Sequence, residues 1–231
     1  MVNNMKNMKN MKNIPLFILL VIIIILAITA DYFALRRKRC RRQMEQCVAA
    51  GDYAGFCALL ESKDGKRFFK GTDALLMKLD ACLQLSRHED IRALFAQLDE
   101  VRLPRGGYIN YNMKKLAYAI DIKDASLAEA AWRALHKFRQ SRYVLREADQ
   151  LYDIYVCHKS NHIDELKNFA GKTKNPSSRA MAFFRIAKQY HYLGDADRRT
   201  EYLLKAKGAY NDPTWQKIIG NILAGDLSRL E

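Results

Sequence analysis

Proline and glycine are scarce in this chain, with four and eleven among 231 residues. That scarcity excludes collagen-like and low-complexity architectures and permits long helices. The five cysteines, Cys40, Cys47, Cys57, Cys82 and Cys157, are odd in number and form no C-x-x-C. They outline neither a disulfide framework nor a zinc site, and most sit among apolar residues as small buried hydrophobes. This favours a reducing compartment. Catalytic signatures are missing too: there is no G-x-G-x-x-G, Walker loop, H-E-x-x-H or G-x-S-x-G. No stretch alternates apolar and polar residues as a half-buried strand does, so an all-α protein is expected.

What is present begins with charge. The net charge is +14, and it is uneven: residues 1–42 hold nine Lys/Arg and one acid, Asp31. The excess flanks an uncharged apolar run from Ile14 to Ala30. Seventeen residues span about 26 Å as a helix, and Tyr32, Phe33 and Leu35 extend the apolar surface to the ~30 Å of a hydrocarbon core. A transmembrane helix over residues 14–35 follows, preceded by a disordered Asn-Met-Lys repeat over 1–13. A cleaved signal peptide is disfavoured, because Ile28 is not small and six cations follow closely.

Those cations, Arg36, Arg37, Lys38, Arg39, Arg41 and Arg42, form a basic juxtamembrane segment over 36–42 suited to anionic lipid headgroups. Three lysines precede the span and six cations follow it. The positive-inside bias therefore places the N-terminus outside and the C-terminal domain in the cytoplasm. No Gly or Pro lies between Pro15 and Gly51. One nearly continuous helix is expected to leave the bilayer and become the first helix of the domain.

Residues 43–231 carry apolar positions at helical spacing in paired stretches. Interior turns are expected at Gly51-Asp52, His88-Glu89, Lys123-Asp124, Asn161-His162 and Gly194-Asp195. Dividers between pairs are expected at Lys63-Asp64-Gly65, Leu103–Gly107, Gln140-Ser141 and Asn175-Pro176-Ser177. The last pair reads Phe183-x-x-Ile186-Ala187-x-x-Tyr190, then Leu193-Gly194-Asp195, then Tyr202, Leu203 and Ala206. This pattern, with a period near 34 residues, resembles the tetratricopeptide repeat. The resemblance spans residues 37–210 and is motif-specific only in the last 35 or so. Arg199 stands where the family wants a small residue, and the family's terminal proline falls on Asn211, with Pro213 two later.

The resemblance implies a right-handed α-α superhelix of about five helix pairs, closed by a capping helix that starts at Asp212-Pro213-Thr214-Trp215. It also implies a concave groove lined, in the last unit, by Phe184, Lys188, His191 and Tyr192. Aromatic and cationic side chains together suit a peptide with apolar anchors and a carboxylate. The plainer reading is that Phe184 and Tyr192 pack against the capping helix.

Other clusters point to no chemistry. Cys157-His158 with His162 lacks a fourth metal ligand, and adjacent helical side chains diverge too far for a nucleophile–base pair. Asp149 and Asp153 read as a solvated or salt-bridged face. The run Arg133, His136, Lys137, Arg139, Arg142 and Arg146 reads as solvated surface, with contact to anionic lipid headgroups, nucleic acid or an acidic protein as the alternatives. The expectation is a membrane-anchored adaptor or scaffold for an unidentified protein or peptide, with no cofactor, metal, small-molecule substrate or reaction of its own. The alternative is a membrane-bound regulator binding nucleic acid or another anion through its basic surface.

Overall fold

The computed structural model describes residues 19–20, 22–137 and 142–230. The expectations placed on the Asn-Met-Lys repeat, on residues 14–18 of the apolar run and on Gln140-Ser141 lie outside them. The protein is all-α, and no strand occurs among the described residues. Contacts divide the chain into two compact units, Met1–Leu103 and Pro104–Glu231, where the sequence reading has one domain over 43–231. The break falls at Val101–Pro104, where proline restricts its predecessor to extended backbone.

In the first unit, α1 (Val2–Ala49) is followed by α2 (Tyr53–Glu61), α3 (Lys63–Phe68), α4 (Thr72–Gln84) and α5 (His88–Asp99). Residues 36–42 are helical, so apolar run and domain share one element. The last turns of α1 bury Cys40 and Met44 against Phe56, Leu60, Phe69 and Ala81. All five cysteines are free, and Cys157 is exposed. Among the described residues no helix is long and apolar enough to cross a membrane. The expected span at 14–35 is only partly within that set.

Lys63-Asp64-Gly65, expected as a divider, is instead the start of the extra helix α3. Ser62 caps it by accepting a hydrogen bond from the Gly65 amide at 3.1 Å, which satisfies one orphan donor of the first turn. Gly65 is buried against the end of α2, in a space no side chain could share.

The second unit comprises α6 (Arg105–Asp121), α7 (Ala125–His136), α8 (Arg142–Tyr155), α9 (Ile163–Lys172), α10 (Pro176–Tyr192), α11 (Ala196–Ala209), α12 (Pro213–Leu223) and a terminal 3-10 turn, Leu227–Arg229. Helices α6, α8 and α10 lie side by side. α7 packs on α6 and α8, and α9 and α11 pack on α10. Alanines 119, 128, 131, 148, 182, 187 and 206 are buried in this core, and their small side chains let neighbouring backbones approach. The expected motif residues Ile186, Ala187, Tyr190, Tyr202, Leu203 and Ala206 all face it.

A repeated turn links these helices. Gly51, Ser86, Lys123, His158, Gly194 and Gly225 all have positive φ, at intervals of 31 to 37 residues along the chain. At Gly51, Ser86, Lys123, Gly194 and Gly225 the next amide bonds back to the carbonyl four residues before the turn residue: Asp52 to Cys47, Arg87 to Cys82, Asp124 to Ala119, Asp195 to Tyr190 and Asp226 to Asn221. This is the Schellman closure of a helix. Asp52, Asp124 and Asp195 then cap the following helices through the amides of Gly55, Leu127 and Arg198. The expected turn at His88-Glu89 therefore sits two residues earlier, at Ser86-Arg87, and His88 already belongs to α5. The expected turn at Asn161-His162 likewise begins at His158.

Three of these left-handed positions hold side chains, which costs about 1 kcal/mol each. Ser86→Gly is expected to stabilise the first unit by about 0.5 kcal/mol, because the added freedom of the unfolded chain offsets part of the relief. Gly194→Ala is expected to destabilise the second unit by about 1 kcal/mol. Denaturant titration of the full chain in detergent measures both; equal and opposite shifts are not expected.

Candidate functional site

The second unit holds a cavity of about 530 Å³. Its walls come from the α6–α7 turn, the end of α8, the middle of α10, the start of α12 and the terminal turn. Ile120, Tyr155, Val156, Trp215 and Ile218 give an apolar lining, and Asp121, Asp124, Lys123 and Arg229 give a rim of mixed sign.

The floor is built by α10. Phe184 meets the Trp215 ring edge-on at 5.7 Å, and the indole N–H of Trp215 donates to the Ala206 carbonyl at 3.0 Å. One helical turn on, Lys188 is 2% exposed. Its ammonium donates to the Leu230 carbonyl at 2.7 Å and the Arg229 carbonyl at 3.4 Å. The rings of Tyr155 and Tyr192 lie 5.2 and 5.4 Å from it. A buried ammonium needs such partners, since desolvation without compensation would force it neutral. The chain end is thereby held against α10.

Of the four residues expected to bind a partner, Phe184 and Lys188 line the cavity, as buried floor already engaged by the protein itself. His191 and Tyr192 do not line it. The Tyr192 hydroxyl donates to the Ile154 carbonyl at 2.9 Å, and His158 stacks on its ring at 4.9 Å. Burial, and secondarily the neighbouring Tyr155, pushes the Tyr192 phenol up. His191 lies beside Arg199, Nδ1 to Nη1 3.4 Å. α12 and the terminal turn thus cover Phe184 and Lys188 of the expected groove, while Tyr192 packs on the end of α8 and His191 lies beside α11. The cavity's accessible wall comes instead from residues the sequence reading did not single out, chiefly Tyr155, Val156 and Ile218. Only Trp215, in an Asp-Pro-Thr-Trp helix start, carried a visible signal.

No family model, curated protein or solved structure matches this chain.

Several other polar groups pair with one another. His162 Nε2 lies 3.0 Å from Asp153 and its Nδ1 3.3 Å from Glu165, while its amide donates to Gln189. Burial raises the Asp153 carboxyl, but hydrogen bonds from Lys159, His162 and Asn161 outweigh it and hold the group below the usual carboxylate range. Asp149 accepts the Trp132 indole N–H at 2.8 Å and faces His136 at 3.1 Å. In the basic run, Arg133 pairs with Glu129 and Arg146 with Glu165, while Arg139 lies outside the described residues. No group of three possible metal ligands occurs among the described residues.

The six cations at 36–42 are not uniform. Arg36 is half-buried and grips Asp64 of α3 with both oxygens at 2.7 and 2.8 Å. Arg37 stands over the Phe69 ring at 5.7 Å, and Arg41 pairs with Glu45 at 3.1 Å. Lys38, Arg39 and Arg42 are exposed. Of the six cations expected to contact anionic lipid, Arg36 is the one the fold also uses to seat α3.

Proposed function

We propose that this chain is a single-pass membrane adaptor, tetratricopeptide-like in its helical pairing, that docks a partner protein or peptide at the cytoplasmic face and carries out no reaction itself. The anchor rests on α1. Leu19, Leu20, Ile22 to Leu26 and Ile28 are each about half exposed or more. Five consecutive positions, 22 to 26, point in every direction around a helix, so no single protein face could cover them. Leaving eight such side chains in water costs on the order of 10 kcal/mol, which lipid relieves. The cytoplasmic side for the domain follows from the six cations after the span against three before it.

The single observation that carries the docking function is the cavity between α6, α8, α10 and α12, apolar within and mixed in charge at its rim. The test is crosslinking in carbonate-washed membranes, comparing the native chain with a Lys123→Glu, Arg229→Glu variant, both sites being exposed. Recovery of the native chain's crosslinked partners is expected to fall about tenfold in the variant. Equal recovery would reject the cavity as the docking site, and release of the native chain by carbonate would reject the anchor.

A further inference from the structure

We propose that α3 is a second lipid-binding element, which lays the first unit flat against an anionic membrane. The inference rests on the anchor reading, and three contacts carry it. Asp64, in the first turn of α3, is held by Arg36. Arg67, in its last turn, places its guanidinium 4.0 Å from the Phe33 ring. Phe69, just after α3, lies under Arg37. From Asp64 to Arg67 the contacts on α1 move back from residue 36 to residue 33, which brings the Arg67 end of α3 toward the apolar run, and the chain then turns back to Arg37 at Phe69.

Depth follows from helical rise. Ile14 to Phe33 is twenty residues, about 30 Å of helix, so Phe33 stands at the edge of the hydrocarbon core, where the headgroup layer begins. The headgroup layer of each leaflet is roughly 5–8 Å deep. Arg67, level with Phe33, therefore sits among the headgroups, and Lys66 and Lys70 flank it in sequence. A moderate tilt of α1 shortens these heights only slightly.

Charge selects the lipid. Residues 31–42 and 63–70 together hold ten Lys/Arg and two acids. One of those acids, Asp64, is neutralised by Arg36. Lys63, Lys66, Arg67 and Lys70 are all exposed, although Lys66 also reaches Glu61 at 3.0 Å. Sequence alone shows one basic run beside the apolar segment; the fold adds a second, whose Arg67 reaches Phe33, one of the aromatic pair suited to an interface. Phosphatidylserine or another anionic headgroup fits this surface, and each cation near it strengthens attraction by roughly fivefold.

The experiment places the full chain in nanodiscs of phosphatidylcholine alone or with roughly one-third phosphatidylserine, and follows amide hydrogen exchange over residues 63–71. Exchange there is expected to be at least about fivefold slower in the anionic discs. The slowing should disappear in high salt and in a Lys63→Gln, Lys66→Gln, Arg67→Gln, Lys70→Gln variant whose α4 and α5 exchange as in the native chain. Equal exchange in the two discs, or equal slowing in the variant, overturns the inference while the anchor stands. Slowing caused by a short RNA duplex in neutral discs, without slowing by phosphatidylserine, reassigns the surface to nucleic acid and also overturns it. A chain retained in neither disc defeats the anchor and this inference together.

Discussion

Replacing Gly65 with alanine is expected to destabilise the first unit by about 3 kcal/mol, more than one methyl group would suggest. A Cβ at this position would lie 2.2 Å from the Leu60 carbonyl oxygen and 2.3 Å from that of Leu59. Both are backbone atoms at the end of α2, so no rotamer change relieves the clash. Either α3 lifts away or the last turn of α2 unwinds. Lifting α3 would also break the Arg36–Asp64 pair and uncover Phe69, which is 5% exposed. Thermal unfolding of the full chain in detergent should show the first transition lowered by roughly 15 °C. Gly106→Ala is the contrasting substitution, since a Cβ there meets nothing within 4 Å; it should leave stability unchanged or slightly raised. If Gly65→Ala behaves like Gly106→Ala, α3 does not pack as described.

The second large effect is expected at Lys188. Truncation to alanine removes the donor to the Leu230 and Arg229 carbonyls and leaves space between two tyrosine rings. Loss of a charged hydrogen bond to buried acceptors, together with lost packing, should cost about 3 kcal/mol. Lys188→Met keeps most of the volume and should recover roughly half of that, which separates the polar contribution from the packing one. The C-terminal turn should become accessible to protease in both variants, because its Leu230 side chain, fully buried here, would lose its tether. A Lys188→Ala protein as stable as the native one would mean that the ammonium does not hold the chain end.

Much of the local structure was legible before any coordinates. The Gly-Asp pairs at 51-52 and 194-195 and Lys123-Asp124 name both halves of a turn, a residue that closes one helix and an aspartate that starts the next. Asn175-Pro176 and Asp212-Pro213 do the same for α10 and α12, with proline at the first helical position and the preceding side chain as cap. Where the chemistry was weaker the reading slipped. Ser86-Arg87 offers neither glycine nor a capping carboxylate, so the sequence points to a turn two residues too late. At Lys63-Asp64-Gly65 a glycine was read as a breaker, although its role is steric room for a helix.

The site was less legible, because helical periodicity says which residues share a face but not what covers that face. Phe184, Lys188 and Tyr192 were correctly placed on α10 beside His191. Phe184 and Lys188 are covered by α12 and the terminal turn, which lie more than twenty residues away in the chain. A lysine among aromatics reads equally as an open binding surface or as a cap for the chain end. Only the 2.7 Å bond to Leu230 separates the two.

The sequence by itself determined the helical class, the turn chemistry and the unbroken path from apolar run to first helix, since these depend on hydrogen bonds and φ angles within a few residues. Tertiary structure alone decided that Arg36 would grip Asp64, that α3 would lie along Phe33 to Arg37, and that the face of α10 would close over its own lysine. Those contacts join residues 28 to 42 positions apart, and their geometry arises only when helices pack.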